Sequence, residues 1–269
     1  MVPHFGTGKL NDPYDVHCTK GDKIFVSNNG AHNISVFNRS DLSFITSFGS
    51  QGDKDGQFNH PCGMASYGDK LYVADWGNHR ICVFKLSDYS FVSSFGGKNV
   101  LNRPGFLCVC EVDQRLYVTD KKGIISFNLN DHSLHKRFST NLGHPRGICL
   151  SPNGSSLYVA ELGKHRVVEV DIDKDQIIRS VGSYGQGNGQ LGGPLGVCLS
   201  ADGEFFLVSE SGNDRISVFK TSDLSFVKHI GSQGKEANQL NYPSGLYCDE
   251  NGTIFVADLD NQRVTILKL

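Results

Sequence analysis

The strongest constraint on this chain is a unit that returns along its length, plainest at Leu71-Tyr-Val-Ala-Asp-Trp-Gly-Asn-His-Arg-Ile-Cys-Val-Phe84. Close variants are Leu157-Tyr-Val-Ala-Glu-Leu-Gly-Lys-His-Arg-Val-Val-Glu-Val170, Phe206-Leu-Val-Ser-Glu-Ser-Gly-Asn-Asp-Arg-Ile-Ser-Val-Phe219 and Ile254-Phe-Val-Ala-Asp-Leu-Asp-Asn-Gln-Arg-Val-Thr-Ile-Leu267. Each unit opens on a proline, at Pro13, Pro61, Pro104, Pro145, Pro194 and Pro243, with intervals of 48, 43, 41, 49 and 49 residues. Most copies carry a glycine two positions after that proline. Most close on an aromatic or β-branched residue plus glycine, as in Phe48-Gly49, Phe95-Gly96, Val181-Gly182 and Ile230-Gly231. Short β-rich segments repeating at this period are the pattern of propeller blades.

Within the second unit four apolar runs, 63–67, 71–74, 80–84 and 91–95, are separated by Gly68-Asp69, Gly77-Asn78 and a polar stretch. Runs rich in Val, Ile, Phe and Tyr, bounded by Gly, Asn and Asp, read as an antiparallel meander. Four such strands make one blade. The expected fold is therefore all-β: a six-bladed β-propeller of four-stranded antiparallel blades, filling residues 1–269 as a single domain. The sixth unit has only three runs before Leu269, while His4-Phe5-Gly6 matches the closing Phe-Gly of the others. The N-terminal segment is thus expected to complete the last blade and leave no free blade edge. Two units depart from the pattern: the third shortens its second hairpin to Asp120-Lys-Lys-Gly123, and the first has Asn28 and Asn33 where others have an acid and an arginine.

Glycine is abundant, at 31 residues, as tight turns require. No apolar run approaches the roughly 20 residues that span a bilayer, and the first residues lack the charged end and apolar core of a signal peptide. Membrane partners are not expected. Of the eight cysteines, Cys18, Cys108, Cys149, Cys198 and Cys248 fall in the innermost runs, where thin side chains suit a crowded centre. Reduced, structural thiols in a cytoplasmic protein are the expectation.

Pro-x-Gly, then Tyr-Val-Ala-Asp-x-Gly-Asn-His-Arg-Ile-x-Val-Phe, then Phe-Gly, resembles the NHL repeat, with Asn78-His79-Arg80-Ile81 matching it best. The resemblance runs from Phe5 to Leu269. It implies a recognition module of the kind that ends tripartite-motif ubiquitin ligases and related growth regulators, binding RNA or proteins. Other members of that group are zinc-dependent peptide-amidating lyases, or sensors of bacterial kinases. Those lyases make a metal-dependent lyase or lactonase with a site in the central channel the alternative reading.

Four acid–arginine pairs, Asp75/Arg80, Glu161/Arg166, Glu210/Arg215 and Asp258/Arg263, sit five apart across a tight hairpin. That spacing sets carboxylate against guanidinium on adjacent strands, where a charge-assisted hydrogen bond pins the turn. A catalytic site would occur once; this pair recurs, so it reads as structure. The residue after each opening proline is expected to ring the channel mouth: Tyr14, Cys62, Gly105, Arg146, Leu195 and Ser244, with no histidine among them. A three-histidine zinc site needs histidines in reach of one another. His60 and His144 precede their prolines, His32, His79 and His165 belong to the hairpin motif, and His17 alone lies in an inner run. Neither metal nor another cofactor is expected. Asp53-Lys-Asp55-Gly56 lacks the ligands of a calcium loop. Gly185-Gln-Gly-Asn-Gly189 has no lysine or helix after it to cradle phosphate.

Charge is unevenly spread. From Trp76 to Arg166 there are twelve Lys and Arg against six Asp and Glu, a balance of +6, which leaves −8 for the remainder of a chain of formal charge −2. In that basic arc Trp76, Lys98, Arg103, Lys121, Lys122, His144, Arg146, Lys164 and His165 are expected in loops opening on one face. An aromatic among cations suits base stacking with phosphate contact, and an acidic protein segment suits the same patch. The expected function is therefore a non-catalytic, monomeric scaffold whose loop-bearing face binds RNA or a protein partner.

Overall fold

The computed structural model describes residues 4–19 and 21–269. Among them the chain forms six four-stranded antiparallel sheets and one short two-stranded parallel pair. Blade two shows the pattern: Pro61–Tyr67 innermost, then Lys70–Asp75, Arg80–Lys85 and Phe91–Gly96 at the rim. Its middle strands are near-continuous apolar runs because both faces are covered, whereas the rim strand alternates between half-buried and exposed.

The inner strands of the other blades are Pro13–Cys18, Leu107–Cys110, Pro145–Leu150, Pro194–Leu199 and Pro243–Cys248. The third therefore begins at Leu107 rather than at Pro104. In that blade glycine directly follows proline, and Phe106 stands where four other blades carry a glycine.

Closure occurs at the N-terminus as the terminal Phe-Gly predicts. His4–Phe5 pairs antiparallel with Arg263–Lys268, His4 opposite Thr265 and Phe5 opposite Val264. Phe5 packs edge-on against Phe37 of blade one at 5.0 Å and Phe255 of blade six at 6.5 Å. Leu10 occupies the place of Phe58: a Cβ on Gly6 would strike Leu10, as one on Gly49 would strike Phe58.

The core lies between the blades. Six buried apolar clusters among the described residues are each shared by two consecutive sheets, the last joining blades six and one. The Pro-x-Gly glycines set how tightly the sheets stack. A Cβ on Gly63 would lie 2.5 Å from the Phe106 Cα, and one on Gly147 2.5 Å from the Val197 nitrogen. Only glycine tolerates so close a backbone.

Candidate functional site

The loop-bearing face is assembled by the hairpin motif itself. Asp75 ends the second strand of blade two, accepts the Asn59 N–H at 2.7 Å and pairs with Arg80 Nε at 2.8 Å. Glu210–Arg215 and Asp258–Arg263 repeat the pair at 2.8 Å, and Glu161–Arg166 forms likewise. The guanidinium then donates to carbonyls of the loop entering the blade, Lys54 and Gln57 for Arg80. Arg263 does the same with Lys235 and Gln239. Where the acid and arginine are missing, Asn28 accepts the Asn11 N–H and donates to Asn33 at 2.8 Å. These pairs are consumed in holding loops.

A second device escaped the sequence reading. The residue before each proline is left-handed, with φ of 49° at Asp12, 59° at His60, 57° at Arg103, 52° at His144, 63° at Gly193 and 55° at Tyr242. Five of their N–H groups donate to a hairpin side chain of the preceding blade. His60 reaches His32 Nδ1 at 3.0 Å, Arg103 reaches His79 Nδ1 at 3.2 Å, and Gly193 reaches His165 Nδ1 at 3.1 Å. Tyr242 reaches Asp214 at 2.8 Å, and Asp12 reaches Gln262 at 2.7 Å across the closing seam. The hairpin histidines are thus latches between blades. The signal was present in the sequence as a polar residue at one hairpin position, always one before the arginine or its asparagine substitute.

The exception is the third blade, whose hairpin is short. Asp120 pairs with Gly123, and only Lys121 and Lys122 turn between them, so no side chain reaches the His144 lead-in as a latch. At this seam lies a pocket of about 110 Å³ lined by Trp76, Arg103, Gly105, Asp120, Lys121, His144, Pro145 and Arg146. Five of the nine predicted ligand-binding residues meet there. The Arg103 guanidinium lies over the Trp76 ring at 4.5 Å, and His60 meets the ring edge-on at 6.1 Å. Trp76 therefore presents a combined indole and guanidinium wall rather than a bare ring.

The acid in the pocket is already spent. Asp120 accepts N–H groups from Asn102 at 2.9 Å, Lys122 at 2.7 Å and Gly123 at 3.1 Å. Arg103, Lys121 and Arg146 form no ion pair among the described residues. Arg146 Nε is buried and meets no acceptor. Leaving such a donor unpaired costs about 1–3 kcal/mol.

Four predicted binding residues lie elsewhere. Lys164 Nζ is 3.1 Å from Glu161 and donates to the Asn141 carbonyl, its stem crossing Gly143. His165 is a latch and packs edge-on against Tyr184 at 4.8 Å. Lys98 and Lys122 are exposed and do not line the pocket. The predicted ring at the channel mouth is also revised. Cys62, Leu195 and Ser244 are buried at 3 %, 3 % and 0 % exposure because neighbouring inner strands close over them. Tyr14 lies against Phe106 of blade three at 5.6 Å, while Arg146 belongs to the pocket.

Among the described residues no group of three or more His, Cys, Asp or Glu could hold a metal ion. The eight cysteines are free thiols, and burial pushes Cys62 and Cys82 up to about 12. No helix among the described residues is long and apolar enough to cross a membrane.

These features define a six-bladed, four-stranded β-propeller with one cationic pocket on its loop-bearing face. The family model for the NHL repeat matches residues 58–84 and 240–267, so this six-bladed propeller carries NHL repeats in blades two and six. No curated protein matches it. Among solved structures, Kuenenia stuttgartiensis hydrazine synthase is similar at 16% identity and a TM-score of 0.71, over 96% of this chain and 77% of that one. The Myceliophteria thermophila Cps50 (Swd1) β-propeller domain is similar at 10% identity and a TM-score of 0.64, over the full length of both. At such identity the likeness is one of fold.

Proposed function

We propose that this propeller is a non-catalytic recognition module that binds single-stranded RNA at the Trp76–Arg103–Lys121–Arg146 pocket. The supporting observation is uncompensated positive charge: three cations without ion pairs, one with a buried unpaired Nε, around an acid consumed by backbone N–H groups. A phosphate supplies the missing acceptor, and the stacked Arg103–Trp76 wall offers a flat surface to a base. Local potential governs phosphate contact, so a formal chain charge of −2 is no obstacle. Buried free thiols suit a reducing, cytoplasmic setting. The NHL resemblance suits a target-binding domain of a larger protein such as a ubiquitin ligase.

The test is binding of oligouridylate and of polyglutamate to wild type and to Arg103→Ala/Lys121→Glu, at salt from about 50 to 200 mM. RNA affinity is expected to fall steeply with salt in the wild type, and the variant to lose affinity with a slope reduced by about 1–2. Equal RNA affinity and slope in the two proteins would remove RNA. Saturable binding of polyglutamate alone would replace RNA with an acidic protein segment.

A further inference from the structure

The inner strands leave a second cavity, of about 260 Å³, along the propeller axis, with residues from all six blades in its wall. Phe106 of that wall lies against Tyr14 at 5.6 Å. Away from the loop-bearing face its lining runs to His17, Ser66, Tyr247 and Glu111, the last exposed in the turn after Leu107–Cys110. Most of the wall is apolar, built from Val16, Met64, Leu107, Ile148, Val197 and Leu246. A dry cavity of about 150 Å³ accommodates benzene, so this one has room for a phenyl ring with a short chain.

One group in that wall breaks the pattern. Asp15 stands in blade one where blades two, four, five and six carry the glycine of Pro-x-Gly. Its carboxylate is wedged against Gly245 of blade six and accepts the Met64 N–H of blade two at 2.8 Å. It is 6 % exposed, lines the cavity, and has no ion-pair partner among the described residues. An ionised carboxylate buried without a cation is costly.

We propose that the channel binds a small organic ammonium ion, an amine on an apolar body, with the ammonium on Asp15 and the body among the inner-strand side chains. The ligand supplies the positive charge the fold omits, and the cavity shields the pair from water. Burial raises Asp15 to about 8, the behaviour of a carboxylate lacking a counter-charge. His17, which faces the same cavity and hydrogen-bonds Ser66 at 2.8 Å, is pushed down to about 4 by burial, so it is neutral and does not repel a cation. A carboxylate ligand brings no positive charge to hold Asp15 ionised.

Met64 makes the test specific, because the chain has two methionines and the other is Met1. The 269-residue protein, labelled with methyl-¹³C methionine, is titrated with 2-phenylethylamine and with phenylacetate. The amine is expected to shift the Met64 methyl saturably and leave Met1 unmoved, while phenylacetate moves neither. Asp15→Asn is expected to bind the amine at least tenfold more weakly. An unmoved Met64 signal, an equal response to phenylacetate, or full affinity in a folded Asp15→Asn would each overturn the site. Should that variant fail to fold, the amine–acid contrast on the wild type decides.

Discussion

Asp15 illustrates how one residue can set a pH dependence for a whole propeller. Burial raises its folded-state value from the ordinary 3.8 to about 8, with hydrogen bonds from the Met64 and Val16 N–H groups opposing that rise. From about pH 4 to pH 8 the unfolded chain gives up a proton that the folded chain retains. Stability attributable to this group is therefore greatest in acid and falls as pH rises through that window. Asn at this position still accepts the Met64 N–H but never ionises. Asp15→Asn should thus melt higher than wild type at pH 8, with a gap that narrows towards pH 5. Each kcal/mol recovered raises Tm by about 2–4 °C in a chain of this size. Parallel melting curves against pH for the two proteins would show that Asp15 ionises freely in the fold.

At the scale of the strand and hairpin, the recurring motif performs two tasks that only its acid–arginine part revealed in sequence. Five-residue spacing across a turn brings the two side chains together on adjacent strands, so Asp75–Arg80 and its repeats are legible in the sequence. The latches could not, because His60 N–H to His32 and Arg103 N–H to His79 join residues 28 and 24 apart in different sheets. Their acceptor alternates among histidine, Asp214 and Gln262, which no single residue type announces. For the same reason Lys164 and His165 looked like a basic patch, when one is spent on Glu161 and the other on Gly193. The pocket was half legible: the short Asp120–Gly123 hairpin stood out, but that it removes a latch and opens space at the next seam needed the stacking of the blades. His79→Ala should cost about 1 kcal/mol, the ordinary worth of one hydrogen bond. The amide of Arg103 should exchange faster with deuterium while the Gly193 amide, latched by His165, keeps its rate. Loss of protection at both would mean that the seams do not act independently.

On the scale of the whole ring, closure rests on two residues of the N-terminal strand pairing with the last strand, although six apolar seams hold the blades. The closing strand was readable because Phe5-Gly6 copies the Phe48-Gly49 and Phe95-Gly96 endings, and a sixth blade with three strands has one place to find a fourth. Phe5 is the element of that closure with real area, 7 % exposed and in contact with Phe37 and Phe255 on both sides of the seam. Phe5→Ala should destabilise the protein by about 3 kcal/mol, the low end for truncating a buried phenylalanine. Removing residues 1–6 goes further, since it leaves the edge of Arg263–Lys268 unpaired as well as emptying the seam. An unpaired strand edge invites pairing with another chain. The truncated protein is expected to melt cooperatively at a lower temperature and to elute from gel filtration partly as dimers and larger species, while Phe5→Ala keeps the elution volume of the wild type. If the truncated chain ran as wild type and melted with it, the seam between blades six and one would be held by Leu10, Val16 and Val264 without help from the shared sheet.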